Sequence, residues 1–521
     1  MMKKLLCAIL IIAIFSLAAC GGNADITGDS ATNNAEYLLE PTHGGEISLF
    51  LNMPNAWCPL TALTESHIQM FNLIFDSLVS VSADMTAIPN LAESWFVSNN
   101  GRVWTLQLAR DARWHDGSEF TAQDVLYTVN SIRARRSYSI YYQNIQNIQN
   151  INVLDAHSLE ITLAQPRSNF INLLYFPIIQ HQTAAHNPAN YVPLGTGAFV
   201  FTHPENDETL ILTRNHYWHG GNIYVNQVRF TLNAPNQSEF LFNSGQIDML
   251  VDHDIAWGRG VNLADVRHAD IPTNRFTFLG LNHRNPALRE LSVRQAIGHS
   301  VNINGITENI LHSRAVASFS PISPNWSLHD SAANIHEFNT ARARQILIND
   351  GWTLDGDVFT KQIAGVNRRL QFDILVNDDN PTRALIAASI QRTLRDAGIA
   401  VNIVSVPFNQ YTSYIANRRF DMFIGEYNIL ADLDFYFMLN SRANPFGLQD
   451  AVLDELLLDT QVNSHDAAAA YSALQHHFHE FVPLIGLYYQ KSIFIYSSRL
   501  VGEPTPLFHN VFFGMENLWI R

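Results

Sequence analysis

Two clusters and one thiol in this sequence have residue types and spacing that could do chemistry. "WHDGSEFTAQDV" (114–125) sets His115 beside Asp116, with Glu119 and Asp124 close behind, the ingredients of a general acid–base or metal site. "HHFH" (476–479) puts His476 and His479 on one helical face, a possible metal pair with no evident third ligand. Cys58 could be a nucleophile, although a lone cysteine is more often a small buried apolar residue. The chain contains no HExxH, GxSxG, Walker loop or paired CxxC.

The first cluster also has a structural reading. His115 and Asp116 are neighbours, so in an extended segment they point apart, which is poor geometry for a shared proton or metal. Asp116-Gly117 is a turn pair after the strand-like "VWTLQL" (103–108). Thr121 with Asp124 three residues on resembles a capping box, launching an amphipathic helix through Val125, Val129 and Ile132. "GTG" (195–197) reads as a turn.

The elements that would position such residues form a secreted, multi-lobed α/β chain. At 521 residues, 47% hydrophobic and 15% charged, it is globular and too long for a single core. Lys3 and Lys4 precede an apolar run, Leu5–Ala19, which is short for a membrane span and reads as a signal peptide (1–19). It ends on Leu17-Ala18-Ala19-Cys20-Gly21-Gly22, which resembles a bacterial lipobox and implies cleavage before Cys20 and lipidation of its sulfur. An ordinary secretory signal is the alternative. With Cys7 removed and Cys20 lipidated, Cys58 stands alone and no disulfide is expected. Loss of Lys3 and Lys4 takes the net charge from −15 to −17, which argues against nucleic acid as a partner. Residues 20–43, small and polar, read as a flexible tether, and order begins near "GGEISLFLN".

The clearest α/β unit is late in the chain. Strand-like "LQFDILV" (370–376) is followed by a helix over Arg383–Ala397 that Gly398 stops, then strand "IAVNIVSV" (399–406). A short helix around Gln410–Asn417 leads to a third strand, "FDMFIG" (420–425). This order predicts a wound, mostly parallel sheet, with ligands outside the strands' carboxyl ends, at Asn377-Asp378-Asp379 and Glu426-Tyr427-Asn428.

The stretch "PNLAESWFVSNNGRVWTLQLARDARWHDGSEFTAQDVLYTVNSI" (89–132) closely resembles the signature of bacterial extracellular solute-binding proteins of family 5. These include the oligopeptide-, dipeptide- and nickel-binding lipoproteins of ABC importers. "PLGTGAFVF" (193–201), "LTRNHYWHGG" (212–221), "SGQIDML" (244–250) and "FLGLNHRNPALRELSVRQAIGHSVN" (278–302) continue the likeness in order, as do 370–425 and "PLIGLYYQKSIFIYS" (483–497).

The resemblance implies a two-lobed periplasmic-binding-protein-like fold (type II, cluster C) with an extra subdomain. Carried onto this chain, 44–75, 195–278 and 487–521 form lobe one, 76–194 its accessory subdomain, and 279–486 lobe two. It implies ligand capture by lobe closure, importer permease subunits as partners, a membrane anchor through Cys20, a monomer, and neither cofactor nor catalysis. In peptide-binding members an acid near the end of the lobe-two strand holds the ligand's α-ammonium. Here "GEYNILADLDFYFML" (425–439) lacks the familiar tryptophan and aspartate–asparagine pattern, so Glu426 is the substitute, with Tyr427 and Asn428 beside it and Asp432 or Asp434 behind. Trp57 and Cys58 in "NAWCPL" would edge the cleft from lobe one, and Asn282 and "FSPISP" (319–324) are further candidates. Oligopeptides are the expected ligand. Nickel chelates, heme or sugars are alternatives within the fold, a peptide-sensing receptor is an alternative role, and a metallohydrolase on His115 or His476 is an alternative class.

Overall fold

The computed structural model describes residues 40–52, 57–98, 101–182, 191–202, 208–232, 237–253, 261, 266–333, 337–463 and 466–521. The signal segment, Cys20 and the tether up to residue 39 lie outside the described residues. Among the described residues, no helix is long and apolar enough to cross a membrane.

Lobe one is built on a four-stranded sheet. The strand Glu46–Leu51 buries every second side chain, Ile47, Leu49 and Leu51, and pairs in parallel with Gln227–Leu232. Thr209–Arg214 and Phe199–Phe201 complete it as antiparallel neighbours. The accessory subdomain carries its own antiparallel sheet, in the order Ala92–Val97, Val103–Leu108, Ser158–Leu163, Ile148–Asp155. One continuous core joins both, from Ile47 and Phe230 through Trp104 and Leu159 to Trp114.

The opening cluster lies where these two units meet, and its polar groups are engaged in holding chain. Asp116 accepts hydrogen bonds from the Ser118 amide (2.9 Å) and hydroxyl (2.6 Å), closing the turn at Gly117. Asp124 is fully buried: Oδ2 accepts the Thr121 amide at 2.8 Å, as a capping box requires, and Oδ1 accepts the His181 amide at 2.8 Å. Glu119 lies 3.0 Å from His157 Nε2. The His115 ring reaches the other family block: the Gly195 amide donates to Nδ1 at 3.4 Å, which leaves the Nε2 proton for the Gly197 carbonyl at 3.0 Å.

Lobe two contains the wound unit. Gln371–Asn377 pairs in parallel with Ala400–Val406 on one side and Met422–Asn428 on the other, around the helix Pro381–Asp396. Within this sheet, among the described residues, parallel pairing is confined to these three strands. The next strands, Val266–Leu281 and Leu484–Ser497, run antiparallel along one another, with Met249–Asp252 and Ala315–Ala317 also antiparallel on the latter. The sheet is therefore mixed, because these two long strands enter from distant sequence rather than by a local helix crossover.

Their ladder is broken between Pro272 and Phe276. Ile271 and Phe494 belong to the lobe-one core, whereas Phe276 and Tyr489 belong to an aromatic core of lobe two. Both strands thus pass from one hydrophobic core to another across this break.

Buried histidines make stability depend on pH. His283 is buried, and desolvation, reinforced by Arg294 and Arg289, pushes its pKa down to about 4 despite the Pro483 carbonyl 2.8 Å from Nε2. His115 is shifted the same way by burial. A depressed pKa means the unfolded chain takes the proton first, so the stabilisation is complete above the ordinary histidine value and is lost as pH falls toward 4. Urea unfolding should show about 2 kcal/mol lost between pH 6.5 and 5 through His283 alone. His283→Gln should flatten that slope by about one proton, and an unchanged slope would show that His283 is not buried neutral.

Candidate functional site

Three parallel strands of lobe two end on one edge, at Asn377, Val406 and Asn428. Helix N-termini follow two of them, and this is the edge at which open α/β sheets accept ligands. Glu426 projects there with its side chain about a quarter exposed, its Oε1 taking Arg275 Nη2 at 3.1 Å and Nε at 3.3 Å. Arg275 reaches it because antiparallel register sets Arg275 opposite Asn428, just beyond the ladder break. Asn274, in the break itself, donates to the Ile429 carbonyl at 2.7 Å.

Arg383 sits in the first turn of the Pro381–Asp396 helix. Its Nη1 donates to Asn377 Oδ1 at 2.7 Å, and its guanidinium lies 5.8 Å from the Tyr411 ring centroid. Among the described residues it forms no ion pair. Tyr411 is held by its hydroxyl on the Ile424 carbonyl at 2.6 Å, and burial pushes its pKa up to about 12. Glu426 and Arg383 both bear on Tyr411 and on buried Tyr488, so these groups share one electrostatic neighbourhood. Tyr427 stacks on Phe278 with centroids 5.2 Å apart, which fixes its ring.

A second charged pair belongs to the segment that follows the first strand. The strand Glu46–Leu51 leads into the helix Glu65–Ile74, and Glu65 at its first position pairs with His253 Nε2 at 3.0 Å. The hydrogen bond from His253 holds the Glu65 carboxyl below its usual range, with Arg275 contributing. Arg275 thus pairs with Glu426 and also favours the charged form of Glu65. Beneath the Glu65–His253 pair is a cavity of about 240 Å3 walled by Phe50, Phe230, Met249 and Phe512, with the Ser66 hydroxyl buried and unpartnered.

This geometry offers paired opposite charges to a small charged solute, and the His253 ring that Glu65 holds by Nε2 meets the Ser492 hydroxyl at Nδ1, 2.6 Å away. Residues 86–446 match the family model of bacterial extracellular solute-binding proteins, family 5, middle region. The chain belongs to that family. The family binds solutes and is not a catalytic one. Relatives of this family 5 protein include the nickel-binding periplasmic protein of Escherichia coli, 22% identical with 86% of each chain covered. The dipeptide-binding protein of Pseudomonas aeruginosa is 24% identical, covering 85% of this chain and 89% of the relative. Among solved structures, the oligopeptide-binding protein AppA of Bacillus subtilis with a nonapeptide superposes at a TM-score of 0.62, with 19% identity, over 92% of this chain and all of that one (100%). The two-lobed fold is that of these neighbours.

Within this solute-binding protein the residues expected to touch ligand separate into two groups. Glu426, Tyr427 and Asn428 lie together at the carboxyl edge, Asn428 exposed and the other two partly so. Trp57 packs its ring 5.1 Å from Phe201 on the lobe-one core, and Cys58 is completely buried; Asn55 and Ala56 of that loop lie outside the described residues. Asn282 is buried and holds a turn, donating to the Phe420 carbonyl at 2.6 Å and accepting the Arg284 amide at 3.0 Å. Asp432 and Asp434 are both taken by Arg167 of the accessory subdomain, the latter at 2.7 Å.

Arg275, Arg383, Glu65 and His253 were not singled out from sequence. Arg383 had a legible signal, since it stands three residues past Asn380 at a strand's carboxyl end. Arg275 had none, because its position depends on strand register.

Proposed function

We propose that the protein is the extracytoplasmic capture component of an ABC importer, anchored by lipid at Cys20, acting as a monomer, and taking peptides between its lobes. The reading rests on one observation: Arg383 and the Arg275–Glu426 pair lie at neighbouring strand ends on one carboxyl edge of the sheet. A peptide is a zwitterion, and closing a cleft on either end without a partner would cost several kcal/mol. Arg383 suits the carboxylate, and Glu426, shared with Arg275, suits the ammonium. Ligand contacts to both lobes favour the closed arrangement, with motion taken up at the ladder break, and the permease subunits read that form.

Native mass spectrometry of protein purified from its own cells tests the ligand class. A ladder of peptide masses is expected, and a single non-peptide mass, such as a nickel chelate or heme, would overturn the peptide reading. Arg383→Gln and Glu426→Gln should each lower peptide affinity at least about tenfold, roughly 1.4 kcal/mol, by calorimetry. Unchanged affinity in either variant removes that residue from the site.

A further inference from the structure

Arg383 and Phe408 stand at adjacent strand ends. The parallel register sets Asn377 opposite Val406, and the Asp378 amide donates to the Val406 carbonyl at 2.9 Å, which ties the two ends together. Arg383 is held on the first end by its bond to Asn377 Oδ1. Just past the second, Pro407 is the N-cap of the helix Phe408–Ala416. The proline ring fixes the backbone angle there, so Phe408 leaves the strand end in one defined direction.

Phe408 remains 55% exposed, although an apolar ring gains free energy by leaving water. One side of the ring is taken: it stacks on Tyr411, with centroids 6.2 Å apart and planes inclined by 22°. Tyr411 is fixed in turn, by its hydroxyl on the Ile424 carbonyl and by an edge-on contact with Phe423 at 6.4 Å. The Arg383 guanidinium lies 5.8 Å from the centroid of the same Tyr411 ring. One buried tyrosine therefore positions both a half-buried cation with no acidic partner among the described residues and a phenyl ring open on its far side. An amino acid carries its carboxylate and its side chain within one residue's length, so a single residue can reach both. A ring already held in place loses little freedom when a second ring stacks on it.

Resting on the peptide reading of this site, we infer that the protein selects peptides with an aromatic C-terminal residue, the carboxylate on Arg383 and the ring on the open side of Phe408. Phe408 is the residue that sets specificity. Arg383 meets a group that every peptide carries, so it adds affinity without discrimination, and an aliphatic side chain fills the position without stacking.

Calorimetric titration of the full chain with the tripeptides Ala-Ala-Phe, Ala-Ala-Leu and Ala-Ala-Gly tests this. Ala-Ala-Phe is expected to bind at least about tenfold tighter than Ala-Ala-Gly, with Ala-Ala-Leu between them. Phe408→Ala should bring all three to the Ala-Ala-Gly affinity, whereas Phe408→Trp, which keeps an aromatic face, should keep the preference. Arg383→Gln should weaken all three by a similar factor and leave their order. Equal affinities in the parent, Ala-Ala-Leu binding as tightly as Ala-Ala-Phe, an order that survives Phe408→Ala, or one lost in Phe408→Trp would each overturn the aromatic assignment and leave the peptide reading standing. Failure of all three to bind would overturn the peptide reading, and the assignment with it.

Discussion

Gly195→Ala is expected to leave no stably folded protein. A Cβ built on Gly195 would lie 1.8 Å from the Ile74 carbonyl oxygen and 2.6 Å from its carbon, and one on Gly197 would lie 2.7 Å from the same carbon. Both obstacles are backbone, so no rotamer change relieves them. Ile74 cannot easily retreat, since it ends the buried Glu65–Ile74 helix and its carbonyl accepts the Gly197 amide at 2.9 Å. The loop is also pinned by His115 on both glycines and by the Thr196 hydroxyl on Asp76 at 2.9 Å. Propensity alone predicts the opposite, since a glycine with compatible dihedrals replaced by alanine usually gains about 0.4–1 kcal/mol. Here overpacking outweighs that gain, at more than the usual 1–3 kcal/mol or so, because two backbone segments in direct contact are wedged apart. Gly117→Ala is the contrast: its φ is +85° with open space around it, so a loss of about 1 kcal/mol is expected. Soluble yield and thermal melting read both, and a Gly195→Ala variant that melts like the parent would refute the close approach.

That contact shows where sequence reasoning succeeds and stops. The turn at Gly117, the Thr121–Asp124 cap and the strand–helix unit from Gln371 to Asn428 are local, and dihedral preference, capping and periodicity suffice to read them. The mixed sheet was not legible, because Val266–Leu281 and Leu484–Ser497 meet across two hundred residues and nothing in either marks the partner. The site divides in the same way. Glu426 is placed by the end of its own strand, whereas the arginine that neutralises it is placed by register with a neighbour. Asp432 and Asp434 looked like free acids for a ligand because their counter-charge lies in a different unit of the chain. His115 and Asp116, adjacent and therefore expected to point apart, do so: their partners, Gly197 and Ser118, lie in different directions.

Arg167→Met should cost about 3–5 kcal/mol, since it strands a buried carboxylate. The Asp432 side chain has no exposed surface, Arg167 is its ion-pair partner, and its Oδ1 has no hydrogen bond. Around this pair the accessory subdomain is tied to lobe two: Ser168 Oγ donates to the Thr460 carbonyl (2.6 Å), Asn169 to the Tyr471 hydroxyl (3.2 Å) and Asn172 to the Ala431 carbonyl (3.0 Å). Burial pushes the Asp432 carboxyl up by more than Arg167 pulls it down, and removing the arginine raises it further. A raised pKa in the folded state gives stability that is full below the ordinary aspartate value, about 3.9, and lost as pH rises through the folded value. The Arg167→Met deficit in urea unfolding should therefore be large at pH 7 and shrink toward pH 4. Pairing it with Asp432→Leu should recover most of the loss, because an apolar pair of similar volume removes the uncompensated charge. A single variant within about 0.5 kcal/mol of the parent at pH 7, as for a surface pair, would mean that Asp432 reaches solvent and that the subdomain is not clasped to lobe two by charge.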